Sequence, residues 1–165
     1  MQSLTKQAKH VKREAPNQRY RPNVAAIIRR ADGKIFLGER LDVPGCWQFP
    51  QGGVKNLEMA EEALAREILE ETSLQPHQYC LVEKRGPYRY LFPNGRSKEG
   101  FRGQEQTYFL VDLTEGNSST HLVIDQREFG DSRWIDPDDF QLHWIPEFKR
   151  AVYRQVFRDF FGIAL

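Results

Sequence analysis

Three glutamates, Glu67, Glu70 and Glu71, stand at i, i+3 and i+4. On a helix that spacing sets three carboxylates side by side. Like charges so placed cost a helix about 0.2–0.5 kcal/mol per pair, so an offsetting partner is expected. Arg66 is adjacent in sequence and is expected to point elsewhere. A divalent cation is the natural alternative, and hard carboxylate oxygens suit Mg²⁺ or Mn²⁺ rather than zinc. Gly52 and Gly53, ahead of this segment, allow a close backbone approach to a ligand. Alone, such a charge run is an ordinary solvated helix face. The surrounding elements and spacing decide otherwise.

The helical period runs over Met59–Thr72. It places Ala60, Ala63, Leu64, Ile68 and Leu69 on an apolar stripe and the acidic groups on another face. Asn23–Arg29 is an apolar, β-branched run and reads as a buried strand. Asp32-Gly33 is a turn, from which Lys34–Glu39 pairs back as a hairpin. Trp47–Gly53 contains Pro50 and two glycines, which excludes a helix. Cys80–Lys84, Arg89–Phe92, Thr107–Leu113 and Ser132–Ile135 read as strands, and 93–103 and 115–120 as loops. Pro146 fits the first turn of a closing helix. Phe148, Val152, Val156, Phe157, Phe160 and Phe161 recur along it at helical spacing. Strands, helix, strands, helix predict an α+β fold or mixed-sheet sandwich.

The chain has 165 residues, 28% of them charged and 39% hydrophobic, with a net charge of +1. This suits one domain with one core. No apolar stretch approaches the ~18 residues of a spanning helix. The near-neutral balance supplies no global field for nucleic acid. Two cysteines, Cys46 and Cys80, are too few for a disulfide framework or a four-ligand zinc site. They read as reduced thiols in a cytoplasmic protein. Residues 1–22 hold six basic groups against Glu14 alone, a net of +5, without a signal peptide's apolar region. Residues 1–19 are expected to form a basic tail, by default a solvated segment, with a polyanion-gathering arm as the functional reading and a transit peptide as the lesser alternative, and 20–165 the single domain.

Gly52, Glu58 and Arg66-Glu67-Ile68-Leu69-Glu70-Glu71-Thr72-Ser73-Leu74 are spaced as G-x5-E-x7-R-E-U-x-E-E-x-G-U, with U a bulky aliphatic residue. This resembles the Nudix box, and every fixed position matches except Ser73, where the family has Gly. A glycine there supplies the left-handed cap of a helix. Serine occupies that conformation at a cost of about 1–2 kcal/mol, and no charged group is lost. The resemblance implies an α/β/α sandwich with a mixed β-sheet and a loop–helix–loop catalytic motif. It also implies hydrolysis of a phosphoanhydride in a nucleoside diphosphate derivative. By resemblance, Glu70 and Glu71 are metal ligands, with Glu67 a third and the Gly52 carbonyl a further one. Glu58 and Arg66 form a structural pair. Glu128, in Arg127-Glu128-Phe129-Gly130, resembles a remote glutamate that approaches the metals. Glu70 and Glu128 both remain open as the group that takes the proton of the attacking water, with Glu67 beside them among the catalytic carboxylates.

Tyr20–Val24, Trp47–Gly53, Gly103–Gln106 and Phe148–Tyr153 further resemble the branch of bacterial RNA pyrophosphohydrolases and plant-type diadenosine tetraphosphate hydrolases. The implied substrate is a dinucleoside polyphosphate or the 5′-triphosphate end of RNA; no protein partner is implied. Phosphate runs need cations, for which Arg21, Arg40, Lys149 and Arg150 are candidates. Phe148 and Tyr90 are candidate base platforms, although Phe148 also fits the apolar stripe. Gln104 and Gln106 share one strand face and are candidates to look into the site. The alternatives are a hydrolase of sugar or damaged nucleotides, or a Nudix domain that binds nucleotide without cutting it. The retained glutamates argue against binding alone.

Overall fold

The computed structural model describes residues 19–117 and 122–165. The basic tail up to residue 18 and residues 118–120 of the expected 115–120 loop lie outside the described residues. The strands are β1 (Tyr20–Arg29), β2 (Ile35–Arg40), β3 (Trp47–Gln48), β4 (Gln51–Gly53), β5 (Tyr79–Leu91), β6 (Gly103–Leu113) and β7 (Phe129–Ile135). The helices are α1 (Ala60–Thr72) and α2 (Glu147–Phe161).

The strand order is β3-β2-β1-β6-β5, with β4 added to β1 and β7 to β2. The central β1 runs parallel to β6 from Tyr20 opposite Gly103 to Arg29 opposite Asp112. Its other edge is shared. Asn23–Ala25 pair with β4, and only Arg29 pairs with Ile35 of β2. The expected β1–β2 hairpin therefore closes through a single rung, because Gln51–Gly53 occupy the rest of that edge. β2 lies mainly against β7, Ile35 opposite Ile135.

The central part of the sheet is covered on both faces, so β1, β2 and β6 carry apolar runs without alternation. Val24, Ala26 and Ile28 pack with Ala63, Leu64 and Ile68 of α1. Ala25 and Ile27 face the cluster of Val152, Val156 and Phe157 of α2. The result is the α/β/α sandwich. Burying each large apolar side chain contributes about 1.5–3 kcal/mol.

Several boundaries differ from expectation. Cys80–Lys84 and Arg89–Phe92 belong to one strand, β5, which pairs with β6 on both sides of register slips near Leu81 and Gly86. β6 begins at Gly103, so the polar Gly103–Gln106 extends it. Leu69 is exposed, whereas Glu71 and Thr72 are buried. Pro146 precedes α2 as its cap rather than opening its first turn.

The start of α1 is fixed by Glu62, which accepts the Met59 N–H at 2.8 Å. Its end falls on Ser73, in the left-handed conformation at φ 61°, with its N–H donating to Leu69 O at 3.0 Å. The Ser73 hydroxyl donates to Val123 O at 3.0 Å. Serine thus takes the position usual for glycine and ties the helix end to the segment that leads to Glu128.

Candidate active site

The chain passes from β3 to β4 through Phe49-Pro50 and changes partner as it does so. Gln48 pairs opposite Gly38 of β2, and Gln51 opposite Ala25 of β1. The change of partner leaves a cleft of about 340 Å³ at the polar ends of β1 and β6. One wall is acidic, with Glu67, Glu70, Glu71 and Glu128. The other is basic, with Arg21, Arg40, Lys98 and Lys149.

The glutamates differ in depth. Glu71 is 5% exposed and accepts the Gln51 N–H at 3.1 Å. Its burial, with the Glu67 and Glu128 charges, pushes its carboxyl up to about 9. Burial also raises Glu67, against the lowering effect of Arg66. Glu70 is about half exposed, its side chain 53% accessible. The Glu67 carboxyl sits directly over Gly52, where an added Cβ would fall 2.0 Å from it. At Gly53 a Cβ would fall 2.5 Å from the Arg21 guanidinium. Both glycines are needed for close approach.

Arg66 does not point away, as its adjacency suggested; its length lets it turn back across the acidic face. Nε donates to Glu58 Oε1 at 2.8 Å, and Nη2 to Glu58 Oε2 and to Gly53 O, each at 2.9 Å. Nη1 reaches Glu67 Oε1 at 2.5 Å and Glu70 Oε2 at 3.5 Å. The Arg66 guanidinium, with the Lys55 N–H, holds the Glu58 carboxyl down at about 2. Arg66 thereby ties the glycine loop to α1.

On the basic wall Arg40 is paired with Asp42, Nε to Oδ1 at 2.8 Å, and Arg21 with Glu99 at 3.2 Å. Lys149 is 7% exposed, and its ammonium lies 5.5 Å from the Tyr90 ring centre. Among the described residues no carboxylate forms an ion pair with it. Burial, with the Arg40 charge, brings its ammonium down to about 8.

Not every expected substrate contact reaches the cleft. Gln104 lines it. Gln106 shares that strand face but is 1% exposed and sits underneath, because Gln51 covers it. Its amide donates to Asn23 at 2.9 Å and Gln51 at 2.6 Å, and it accepts from Tyr108 at 3.2 Å. Tyr90 is 6% exposed, with its hydroxyl donated to Gln104 and its ring 5.6 Å from that of Phe148. Both rings pack against the α2 side of the core rather than line the cleft. Arg150 turns back to the Ile145 carbonyl at 2.9 Å, which takes it away from the cleft. Asn23, Gln48, Gln51 and Lys98 line the cleft without having been singled out. Three of them lie in the Tyr20–Val24 and Trp47–Gly53 segments, whose resemblance was the available signal; Lys98 had none.

The donor set suits a hard divalent cation, since it consists of carboxylate oxygens beside a glycine loop that only a residue without Cβ can form. Among the described residues, no three acidic, His or Cys groups are gathered to hold a metal as they stand. Arg66 engages Glu67, and Glu70 and Glu128 are exposed. The fit is one of chemistry rather than of ready-made coordination.

A sandwich whose cleft opposes carboxylates to guanidinium and ammonium groups defines a class of phosphate-processing protein. The NUDIX domain family matches residues 19–156, and the chain belongs to that family as a Nudix hydrolase. Such hydrolases depend in general on divalent metal. The chain is 40% identical over 150 residues to an RNA pyrophosphohydrolase of Helicobacter pylori (strain G27), covering 87% of this chain and 95% of the relative. It is 36% identical over 157 residues to one of Shewanella sp. (strain W3-18-1), covering 88% and 86%. Its fold is similar to the E. coli dihydroneopterin triphosphate pyrophosphohydrolase, with a TM-score of 0.66 at 20% identity, covering 86% of this chain and 96% of that one. It is also similar to a C. elegans Ap4A hydrolase, at 0.64 and 18%, covering 87% and 99%. Among the described residues no helix is long and apolar enough to cross a membrane.

Proposed function

We propose that this Nudix hydrolase cleaves a phosphoanhydride at the 5′-triphosphate end of RNA and, through the same groups, in dinucleoside polyphosphates. The observation that carries the reading is the opposition of an acidic and a basic wall across one cleft. The names of the curated relatives favour the RNA end.

Arg21, Arg40, Lys98 and Lys149 bind and orient the phosphate chain. Glu67, Glu70, Glu71 and Glu128, with the Gly52 carbonyl, would hold Mg²⁺ or Mn²⁺. When bound, the cation neutralises phosphate charge and makes the attacking water more acidic. Glu70 or Glu128, both exposed to the cleft, takes the water's proton as its oxygen bonds to phosphorus. The anhydride P–O bond breaks, and the electron pair leaves on the departing phosphate oxygen. Arg66, held by Glu58, positions Glu67 and the Gly53 carbonyl. We place the enzyme in the cytoplasm, consistent with the free Cys46 and Cys80.

The test compares turnover of a short 5′-triphosphorylated RNA with that of diadenosine tetraphosphate, in Mg²⁺ or Mn²⁺. Faster RNA processing supports the proposal. A clear preference for the dinucleotide replaces it with polyphosphate hydrolysis, and turnover of neither sinks both.

A further inference from the structure

The neutral amide oxygens around the cleft are matched within the protein, except one. Asn23 Oδ1 and Gln51 Oε1 accept from the Gln106 amide at 2.9 and 2.6 Å. Gln104 Oε1 accepts from the Tyr90 hydroxyl. Gln48 Oε1 has no partner, alone in this among the buried side-chain nitrogen and oxygen atoms of the described residues. The Gln48 side chain is 8% exposed and lines the cleft. Native proteins rarely leave a buried carbonyl oxygen unmatched, because the group gives up water and receives nothing in return.

The backbone that carries this side chain is closely held. The Gln48 backbone is held in β3 opposite Gly38, whose Cα abuts the Phe129 ring so closely that a Cβ would fall 2.4 Å from it. Arg40, also at the cleft, directs its guanidinium to Asp42. Gln51, Gln104 and Lys149 also line the cleft, and none of their donors reaches Gln48 Oε1.

The chemistry of the missing partner follows by exclusion. Ionised phosphate oxygens accept and have no hydrogen to donate. A cation has the acidic wall of the cleft and is better served by it. Among the groups that a nucleotide itself presents, what remains is a neutral donor on the nucleoside, either a ribose hydroxyl or a base N–H. Taking the nucleotide substrate proposed above as given, we infer that Gln48 Oε1 accepts a hydrogen bond from the nucleoside part of the substrate. The charged walls recognise phosphate in any polyphosphate. Gln48 reads what distinguishes a nucleotide from a bare phosphate chain.

The test is binding by calorimetry in EDTA, so that turnover plays no part, to the wild type and to Gln48→Met, which keeps the length of the side chain and removes its amide. The probes are ATP, GTP, their 2′-deoxy and 3′-deoxy forms, the triphosphate of purine riboside, which lacks exocyclic N–H groups, and inorganic tripolyphosphate. Loss of one neutral hydrogen bond predicts binding of ATP or GTP weakened on the order of 3–10-fold. Tripolyphosphate binding is expected to be unchanged. The probe for which wild type and variant converge locates the donor: a deoxy form marks a hydroxyl, and the purine riboside form marks the base. Gln48→Met is expected to melt at or above the wild-type temperature, since an unmatched group has been removed. Gln48→Asn, which retracts the amide by one methylene, should show the same selective loss. Equal binding of every probe by wild type and variant, or an equal loss that includes tripolyphosphate, overturns the inference. Selective binding through Gln48 without cleavage of any nucleotide overturns the catalytic reading alone. Cleavage with probe-independent binding overturns this inference alone.

Discussion

Replacing Lys149 by Met is predicted to make the protein more stable and a poorer enzyme. Lys149 is 7% exposed, and its ammonium faces Arg40, Asp42, Cys46 and Lys98, none of which neutralises it as a direct partner. The drop from an ordinary 10.5 to about 8 corresponds to roughly 3 kcal/mol spent on keeping the group charged at neutral pH. The ammonium's contact with the Tyr90 ring offsets about 0.5–1 kcal/mol of that. A net gain of about 2 kcal/mol is therefore expected for Lys149→Met at pH 7. The sign follows from the direction of the shift. A lysine depressed in the folded state carries its full cost below pH about 8 and loses it as pH rises toward 10.5. Wild-type stability should rise over that window relative to the variant. Urea unfolding at pH 7 and pH 10 measures both effects. Loss of a charge-assisted phosphate contact should cost about 1.5–3 kcal/mol in kcat/KM, or roughly 10–100-fold. A Lys149→Met protein that is less stable at pH 7, or that follows the wild type from pH 8 to 10, would refute the reasoning.

Glu70→Gln should lower kcat by roughly 10²–10⁴-fold and weaken the metal dependence seen in Mg²⁺ or Mn²⁺ titration, whereas Glu58→Gln should mainly loosen the loop; equal, mild losses would contradict the assigned roles. Gly52→Ala should fold and yet lose activity on the order of 100-fold, because the new Cβ falls 2.0 Å from the Glu67 carboxyl and must displace it; unchanged kinetics would remove Gly52 from the site. Glu58, held down at about 2 by Arg66, contributes stability above its ordinary 4.5 that is lost as pH falls through that interval. Acid unfolding should accordingly be steeper between pH 4.5 and 2 for the wild type than for Glu58→Gln. Ser73→Gly should relieve about 1–2 kcal/mol of left-handed strain, less the exposed bond to Val123, and raise the melting temperature; a lower one would show that the tether outweighs the strain.

The sequence carried the acidic helix plainly, because the apolar stripe of Ala63, Leu64 and Ile68 and the 3–4 spacing of the glutamates belong to one local period. The strands buried on both faces were also legible, as in Asn23–Arg29. Less legible was the polar end of the sheet. Gly103–Gln106 and Tyr20–Asn23 form a parallel pair that helps make the cleft, so they have no apolar pattern to announce a strand. The edge of β1 was misjudged because a local turn at Asp32-Gly33 suggests a hairpin, while the distant Gln51–Gly53 takes most of that edge. Within the site, type and spacing indicated which groups carry charge, but not where long side chains turn. Arg66 folds back over Glu67, Arg150 turns away to Ile145, and Tyr90 is sealed by Gln104. Gln48 is silent in sequence, since its meaning lies in a partner it lacks.

The most direct measurement is product analysis of a short 5′-triphosphorylated RNA incubated with the enzyme and Mg²⁺ or Mn²⁺, beside an EDTA control and Glu70→Gln. The account predicts RNA with a shortened 5′ phosphate chain, released phosphate or pyrophosphate, no internal cleavage, no product in EDTA, and product formed roughly 10²–10⁴-fold more slowly by Glu70→Gln. Product formed equally in EDTA or by Glu70→Gln, or RNA left intact under all conditions, would contradict it.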